Sequence, residues 1–190
     1  MQWQHLKTLA HIHSTWLDIF CEHWQNEQGH QLDYWRIEKA DSIIVLPLWR
    51  GFIVLPPPSF RVGINQPTYD FPGGRVLTDK TSTEVVVDIL KRELNVVPTA
   101  IEKLMPLNQN GWFINSAFSN QKLYGFIAQI CSDHVISEVG QITTNTLEGI
   151  LKLLAELDCL QCRTILLEWL RRQIQDTGQF QAINHLSSVP

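Results

Sequence analysis

Two short apolar runs, Asp41 to Trp49 and Gly51 to Leu55, broken only at Arg50-Gly51, constrain the fold more than any other feature of this chain. Each run is short enough to read as a buried strand rather than a helix. Both also fall far below the roughly 18 apolar residues of a membrane span, so none is expected. The break between them predicts a hairpin. A hairpin also precedes them, from Trp16 to Trp24 and Leu32 to Glu38 across the turn segment Asn26-Glu27-Gln28-Gly29. Pro56-Pro57-Pro58 supplies no ladder donors, so the sheet edge should end there and residues 59–66 should run as an irregular loop. Thr68 to Phe71 then reads as a brief strand that meets Pro72-Gly73-Gly74.

Beyond this point the periodicity changes. Val86, Ile89, Leu90 and Leu94 recur at helical spacing after Ser82 or Thr83, either of which can cap the helix, and Asn95 suits a left-handed stop. Ile101 to Leu107, Trp112 to Asn115 and Leu123 to Ile130 read as strands. The last third is helical, opened by a capping-box-like Asn145-x-x-Glu148 and continued through Leu166, Leu170 and Ile174. No repeat or linker divides the chain. A single domain over residues 1–190 is expected, with 12–38 as the N-terminal hairpin and 1–11 and 177–190 as peripheral tails.

Fifteen basic side chains stand against nineteen acidic ones, a net charge of -4, and no segment gathers a Lys/Arg run. Binding along a phosphate backbone is therefore not expected. The N-terminus lacks a basic segment followed by an apolar one, which makes the cytoplasm the expected location. Cys159-x-x-Cys162 has no second pair or histidine nearby in sequence, so buried thiols are the simpler reading. Histidines 5, 11, 13, 23 and 30 are irregularly spaced and lack a fixed acidic partner, which argues against a metal site among them. The seven Trp can fill a core or stack on a flat ligand.

Strands, Pro-Gly-Gly, a helix, further strands and closing helices resemble the layout of the Nudix superfamily. The chain is similar to its ADP-ribose and nucleoside-diphosphate-sugar pyrophosphatase branch over roughly residues 12 to 176. The likeness rests on Asp41-Ser42-Ile43-Ile44-Val45-Leu46-Pro47, Ser59-Phe60-Arg61, Asp70-Phe71-Pro72-Gly73-Gly74, Leu123-Tyr124-Gly125-Phe126-Ile127-Ala128 and the segment from Leu160 to Leu170. The resemblance implies an α/β/α sandwich with a mixed sheet, and a homodimer involving the N-terminal hairpin. In that family the signature runs Gly, five residues, Glu, seven residues, then Arg-Glu-aliphatic-x-Glu-Glu-x-Gly-aliphatic, and its carboxylates gather Mg²⁺ on the diphosphate. Laid from Gly74, the first Glu falls on Lys80, Arg-Glu on Asp88-Ile89, Glu-Glu on Arg92-Glu93, and the glycine on Asn95. Only Glu93 survives of four acidic positions. One carboxylate beside fixed positive charge is a poor hard-cation site, so no metal beyond Glu93's reach and no cofactor is expected. Lys80 and Arg92 can bind phosphate instead, but neither generates a hydroxide.

By the same resemblance Trp35 would stack on a base, while Arg61 and Asp70 would hold the distal part of a ligand. Gly73 and Gly74 allow close backbone approach to a phosphate. The segment from Asn110 to Gln121 alternates amides, hydroxyls and rings and adds Trp112 and Ser119 as candidates, for a polar flat ligand or a protein partner. Two functions of different class follow. One is an inactive Nudix-like module that binds a nucleotide-sugar-like ligand or a protein. The other is a weak hydrolase of nucleoside-diphosphate-linked substrates, using Mg²⁺ or Mn²⁺ at Glu93 with acids outside the signature such as Asp133 or Glu138.

Overall fold

The computed structural model describes residues 2–76 and 79–177, so the C-terminal tail expected from residue 177 onward lies almost wholly outside the described residues. An α/β/α sandwich forms around the first apolar run. Strand β4 (Ser42–Trp49) pairs in parallel with β11 (Lys122–Ile130) and antiparallel with β5 (Phe52–Leu55). β11 also carries β9 (Ile101–Pro106) and β10 (Trp112–Phe113). β5 carries β12 (Gln141–Thr144), and β8 (Gly73–Arg75) lies along β4.

The near-continuous apolarity of β4 has a direct cause, because both faces of the strand are covered. Ile43 and Val45 pack on α1 (Ser82–Leu94) with Val86, Ile89 and Leu90. Ile44, Leu46 and Leu48 pack on the other layer, formed by α2 (Leu147–Glu156) and α3 (Leu160–Thr177), against Leu153, Ile165 and Leu166. The hairpin break at Arg50 (φ 52°) and Gly51 (φ 81°) places two left-handed residues in succession, the turn whose twist matches paired strands. Arg50 tolerates this conformation while its guanidinium lies 4.3 Å from the Trp49 ring and its Nε donates to Ser132 O at 2.6 Å.

Several local expectations are corrected. Helix α1 is capped by Thr81, not Ser82 or Thr83: Glu84 N donates to Thr81 Oγ1 at 3.3 Å and Thr81 N to Glu84 Oε2 at 2.8 Å. This reciprocal box needs its acid three residues after the cap, which only Thr81 satisfies. The left-handed stop at Asn95 (φ 54°) is as expected. Helix α2 is capped by Thr146, which accepts from Gly149 N, while Asn145 Oδ1 accepts from the Trp169 indole at 2.8 Å. Residues 59–66 are not an irregular loop but most of a small ribbon of β6 (Ser59–Arg61) and β7 (Gln66–Thr68). The strand expected at Thr68 to Phe71 lies instead at Gly73–Arg75.

The N-terminal hairpin is β2 (Asp18–Gln25) with β3 (Gln31–Glu38). Residues 1–11, expected as a tail, mostly belong to a third strand, β1 (Gln4–His13), paired with β2 along its length. Its polar and apolar residues do not alternate cleanly because register shifts at His5/Lys7 and Thr8/Ala10 break the period of two. The sheet is tied to the sandwich by the Asn110 to Gln121 segment. Ile37 N donates to Phe118 O at 2.8 Å, Lys39 N to Asn120 Oδ1 at 3.1 Å, and the Tyr34 hydroxyl to Ala117 O.

Candidate functional site

A cavity of about 850 Å³ opens where β4, β8 and the β6–β7 ribbon meet the C-terminal end of α1 and the start of α3. Of the residues singled out in the sequence, Arg61, Asp70, Gly73, Gly74 and Glu93 line it. Trp35, Trp112 and Ser119 do not. Trp35 stands exposed on β3; Trp112 packs against the α2/α3 side of the core. Ser119 bridges to Ile37, and its Oγ accepts from Gln121 N at 3.0 Å. The segment that carries Trp112 and Ser119 meets the N-terminal sheet through the carbonyls of Ala117 and Phe118 and the Asn120 amide.

Arg61 ends β6 and Asp70 lies two residues beyond the end of β7, and the two form one unit. Arg61 Nε donates to Asp70 Oδ2 at 2.7 Å, and the Thr68 hydroxyl donates to the same oxygen at 3.0 Å. The other oxygen, Oδ1, lies 3.6 Å from Cys162 Sγ. Cys162 is buried, and Phe71 N donates to its sulfur at 3.4 Å. Cys159 sits just before the first residue of α3 and also lines the cavity. A hydrogen bond from Cys162 holds the Cys159 thiol down to about 6, against the opposing effect of partial burial. The same contact, with burial, pushes Cys162 up.

The Nudix-like positions are occupied by a structural network. Lys80 Nζ meets Asp88 Oδ2 at 2.6 Å, so the two positions that the resemblance aligns with a Glu and an Arg pair with each other beside the first turns of α1. Ile89 is fully buried, and a Cβ built on Gly74 would lie 3.1 Å from it, which fixes how closely β8 approaches the helix. Glu93 Oε2 accepts from Gly73 N at 3.2 Å, and Arg92 Nη2 donates both to Gly73 O at 2.7 Å and to Glu93 Oε1 at 2.5 Å. Arg92 and Glu93 thus clamp both polar groups of one glycine.

These residues do not fit a Mg²⁺ site of the family type. Both Glu93 oxygens are engaged within the protein, Arg92 adjoins them, and hard cations require several oxygen donors. Among the described residues, groups of three or more possible ligands gather only at His11/His13/Asp18 and at Asp70/Cys159/Cys162. Sequence inspection missed two cations on the cavity wall, Lys39 and Arg75, which form no ion pair among the described residues. It also missed that Pro56 to Pro58 line the cavity. No periodic signal marks either, since both depend on where β8 and the ribbon fold back across β4.

No family model matches the chain, and no curated protein matches it in sequence. The likeness is structural: a solved structure described as the crystal structure of ADP compounds hydrolase superposes with a TM-score of 0.72, covering 94% of this chain and 97% of that one at 15% sequence identity. The fold is thus the Nudix-type α/β/α sandwich with a mixed sheet. Among the described residues no helix is long and apolar enough to cross a membrane.

Proposed function

We propose that the chain binds a nucleoside-diphosphate-linked ligand of the nucleotide-sugar kind in this cavity, and that it does so without Mg²⁺ or Mn²⁺ and without hydrolysing it by the family's route. The observation that carries this reading is the inversion of charge around the glycine strand. The carboxylate of Glu93 is engaged by Gly73 and Arg92, while Lys39 and Arg75 line the cavity with no acid partner among the described residues, Arg75 resting on the Trp16 ring at 3.9 Å and donating to Thr15 O at 3.4 Å. Two cations beside a backbone strand suit a diphosphate, whose oxygens accept charge-assisted hydrogen bonds. The apolar surface of Pro56, Pro57, Pro58 and Ile64 offers the flat part of such a ligand a dry wall.

The same fold in an ADP compounds hydrolase, together with three cavity carboxylates, Asp70, Glu93 and Asp158, favours a second reading as a weak hydrolase. Incubation with ADP-ribose and related diphosphates separates the two. The binding module should be stabilised by ligand in the presence of chelator and release no nucleoside monophosphate with Mg²⁺ or Mn²⁺. Metal-dependent turnover abolished by Glu93→Gln would establish the hydrolase. In Lys39→Ala and Arg75→Ala the affinity should fall roughly tenfold each, about 1.4 kcal/mol.

We also propose a homodimer built on the N-terminal sheet. On a single chain this sheet leaves Trp3, Leu9, Ile12, Trp16 and Trp35 exposed, an unusual density of large apolar side chains for a solvated surface.

A further inference from the structure

We infer that Cys159, Cys162 and Asp70 form a binding site for a thiophilic divalent cation of the zinc class on the wall of the cavity. Their ligand atoms all lie within 4.8 Å of one another. Tetrahedral zinc, with Zn–S of about 2.3 Å and Zn–O of about 2.0 Å, requires a sulfur-to-oxygen edge of about 3.5 Å. The Cys162 Sγ to Asp70 Oδ1 separation is 3.6 Å, so little movement is needed. The two cysteines are three residues apart at the start of α3, where Arg163 N already donates to Cys159 O at 3.0 Å and fixes the turn between them.

The surroundings are those of an oriented ligand set. Arg61 and Thr68 both occupy Asp70 Oδ2, which leaves Oδ1 directed at the sulfur. Phe71 N donates to Cys162 Sγ, a bond that supports a thiolate. Two thiolates and one carboxylate bring three negative charges; a divalent ion and Arg61 bring three positive ones. Soft sulfur donors select zinc-like ions over Mg²⁺ or Ca²⁺. Since all three residues line the cavity, the fourth coordination position opens on it, for water or for an oxygen of a bound molecule. Sequence spacing hid this site because the third ligand lies 92 residues from Cys162.

The other three-ligand group is less suited. His11 and His13 both direct a ring nitrogen at the same Asp18 oxygen, each at 2.7 Å, on an exposed part of the N-terminal sheet.

Full-length protein, reduced and stripped with chelator, would be titrated with Co²⁺ as a spectroscopic probe and then with Zn²⁺. One Co²⁺ per chain should give a thiolate charge-transfer band that Zn²⁺ displaces, and Zn²⁺ should raise the unfolding temperature. Cys159→Ser, at a half-exposed position, should lose the band and the thermal shift while retaining native unfolding cooperativity. Asp70→Asn should weaken Co²⁺ at least tenfold. His11→Ala and Cys131→Ser should bind as the parent does. The proposal is overturned if the reduced parent shows no thiolate band, if Asp70→Asn binds unchanged, or if binding is lost in His11→Ala. It is equally overturned if Cys159 and Cys162 are found only to exchange between dithiol and disulfide, with no metal taken up by the reduced form.

Discussion

Glu22 is the most buried charged residue of the N-terminal sheet, and its neighbours show why it is tolerated there. Arg36 Nε and Nη2 donate to its two oxygens at 2.8 and 2.9 Å, and the Trp24 indole donates at 3.1 Å. Arg36 holds the carboxyl below the usual glutamate range, against the opposing effect of burial. With the folded value depressed, the contribution to stability is complete above the unfolded glutamate value and is lost as pH falls through the folded one. Glu22→Gln should therefore cost about 2 kcal/mol at neutral pH and reduce the steepness of acid destabilisation. Urea unfolding of both proteins across the acid range checks this, and parallel curves would refute it. At Glu93 the consequence is different in kind. Its bonds to Gly73 and Arg92 predict that Glu93→Gln lowers stability by about 1 kcal/mol even in the absence of any ligand or metal, because one partner of a charge-assisted pair is removed.

At the scale of elements, helix α1 was legible in its interior and at its end but not at its start. The apolar spacing of Val86, Ile89, Leu90 and Leu94 and the turn at Asn95 are local properties, and both appear where expected. The cap was expected at Ser82 or Thr83, but the reciprocal contact with Glu84 places it one residue earlier, at Thr81. Thr81→Ala should cost about 1 kcal/mol, and Ser82→Ala and Thr83→Ala much less, as read from thermal unfolding. Strand β12 was missed because only four residues pair, with half-exposed and exposed positions alternating, and its partner β5 supplies the apolar part. The start of α2 is tighter still: a Cβ on Gly149 would lie 2.2 Å from Thr144 O. Gly149→Ala should force the helix off β12 and destabilise by more than the helix-propensity gain of roughly 1 kcal/mol that Ala would otherwise bring.

For the whole molecule, the exposed apolar surface of β1 to β3 carries the prediction. Sedimentation should show a dimer at micromolar concentration, and a charge placed in that surface, such as Leu9→Glu, should yield a folded monomer. A monomeric parent protein would remove the basis for the interface. If the dimer forms, Trp35 becomes buried in it, and its fluorescence environment should change on dilution.

Residue order alone determined the elements whose signals are local. The two buried strands, their Arg-Gly turn, the α1 stripe and the Asn95 stop depend on neighbours within a few positions, and they also carried the Nudix-type layout. The residues aligned with the family's signature, Lys80, Asp88, Ile89, Arg92 and Glu93, were read in the same way, by counting from Gly74. Tertiary structure decided what those residues do, because their partners come from other segments of the chain. Lys80 finds Asp88 across two helical turns, Arg92 and Glu93 reach back to Gly73, and Asp70 meets Cys162 only when the ribbon folds over the start of α3. Side-chain periodicity reports which face of an element is buried; it carries no information on which polar atoms from remote segments share one cavity.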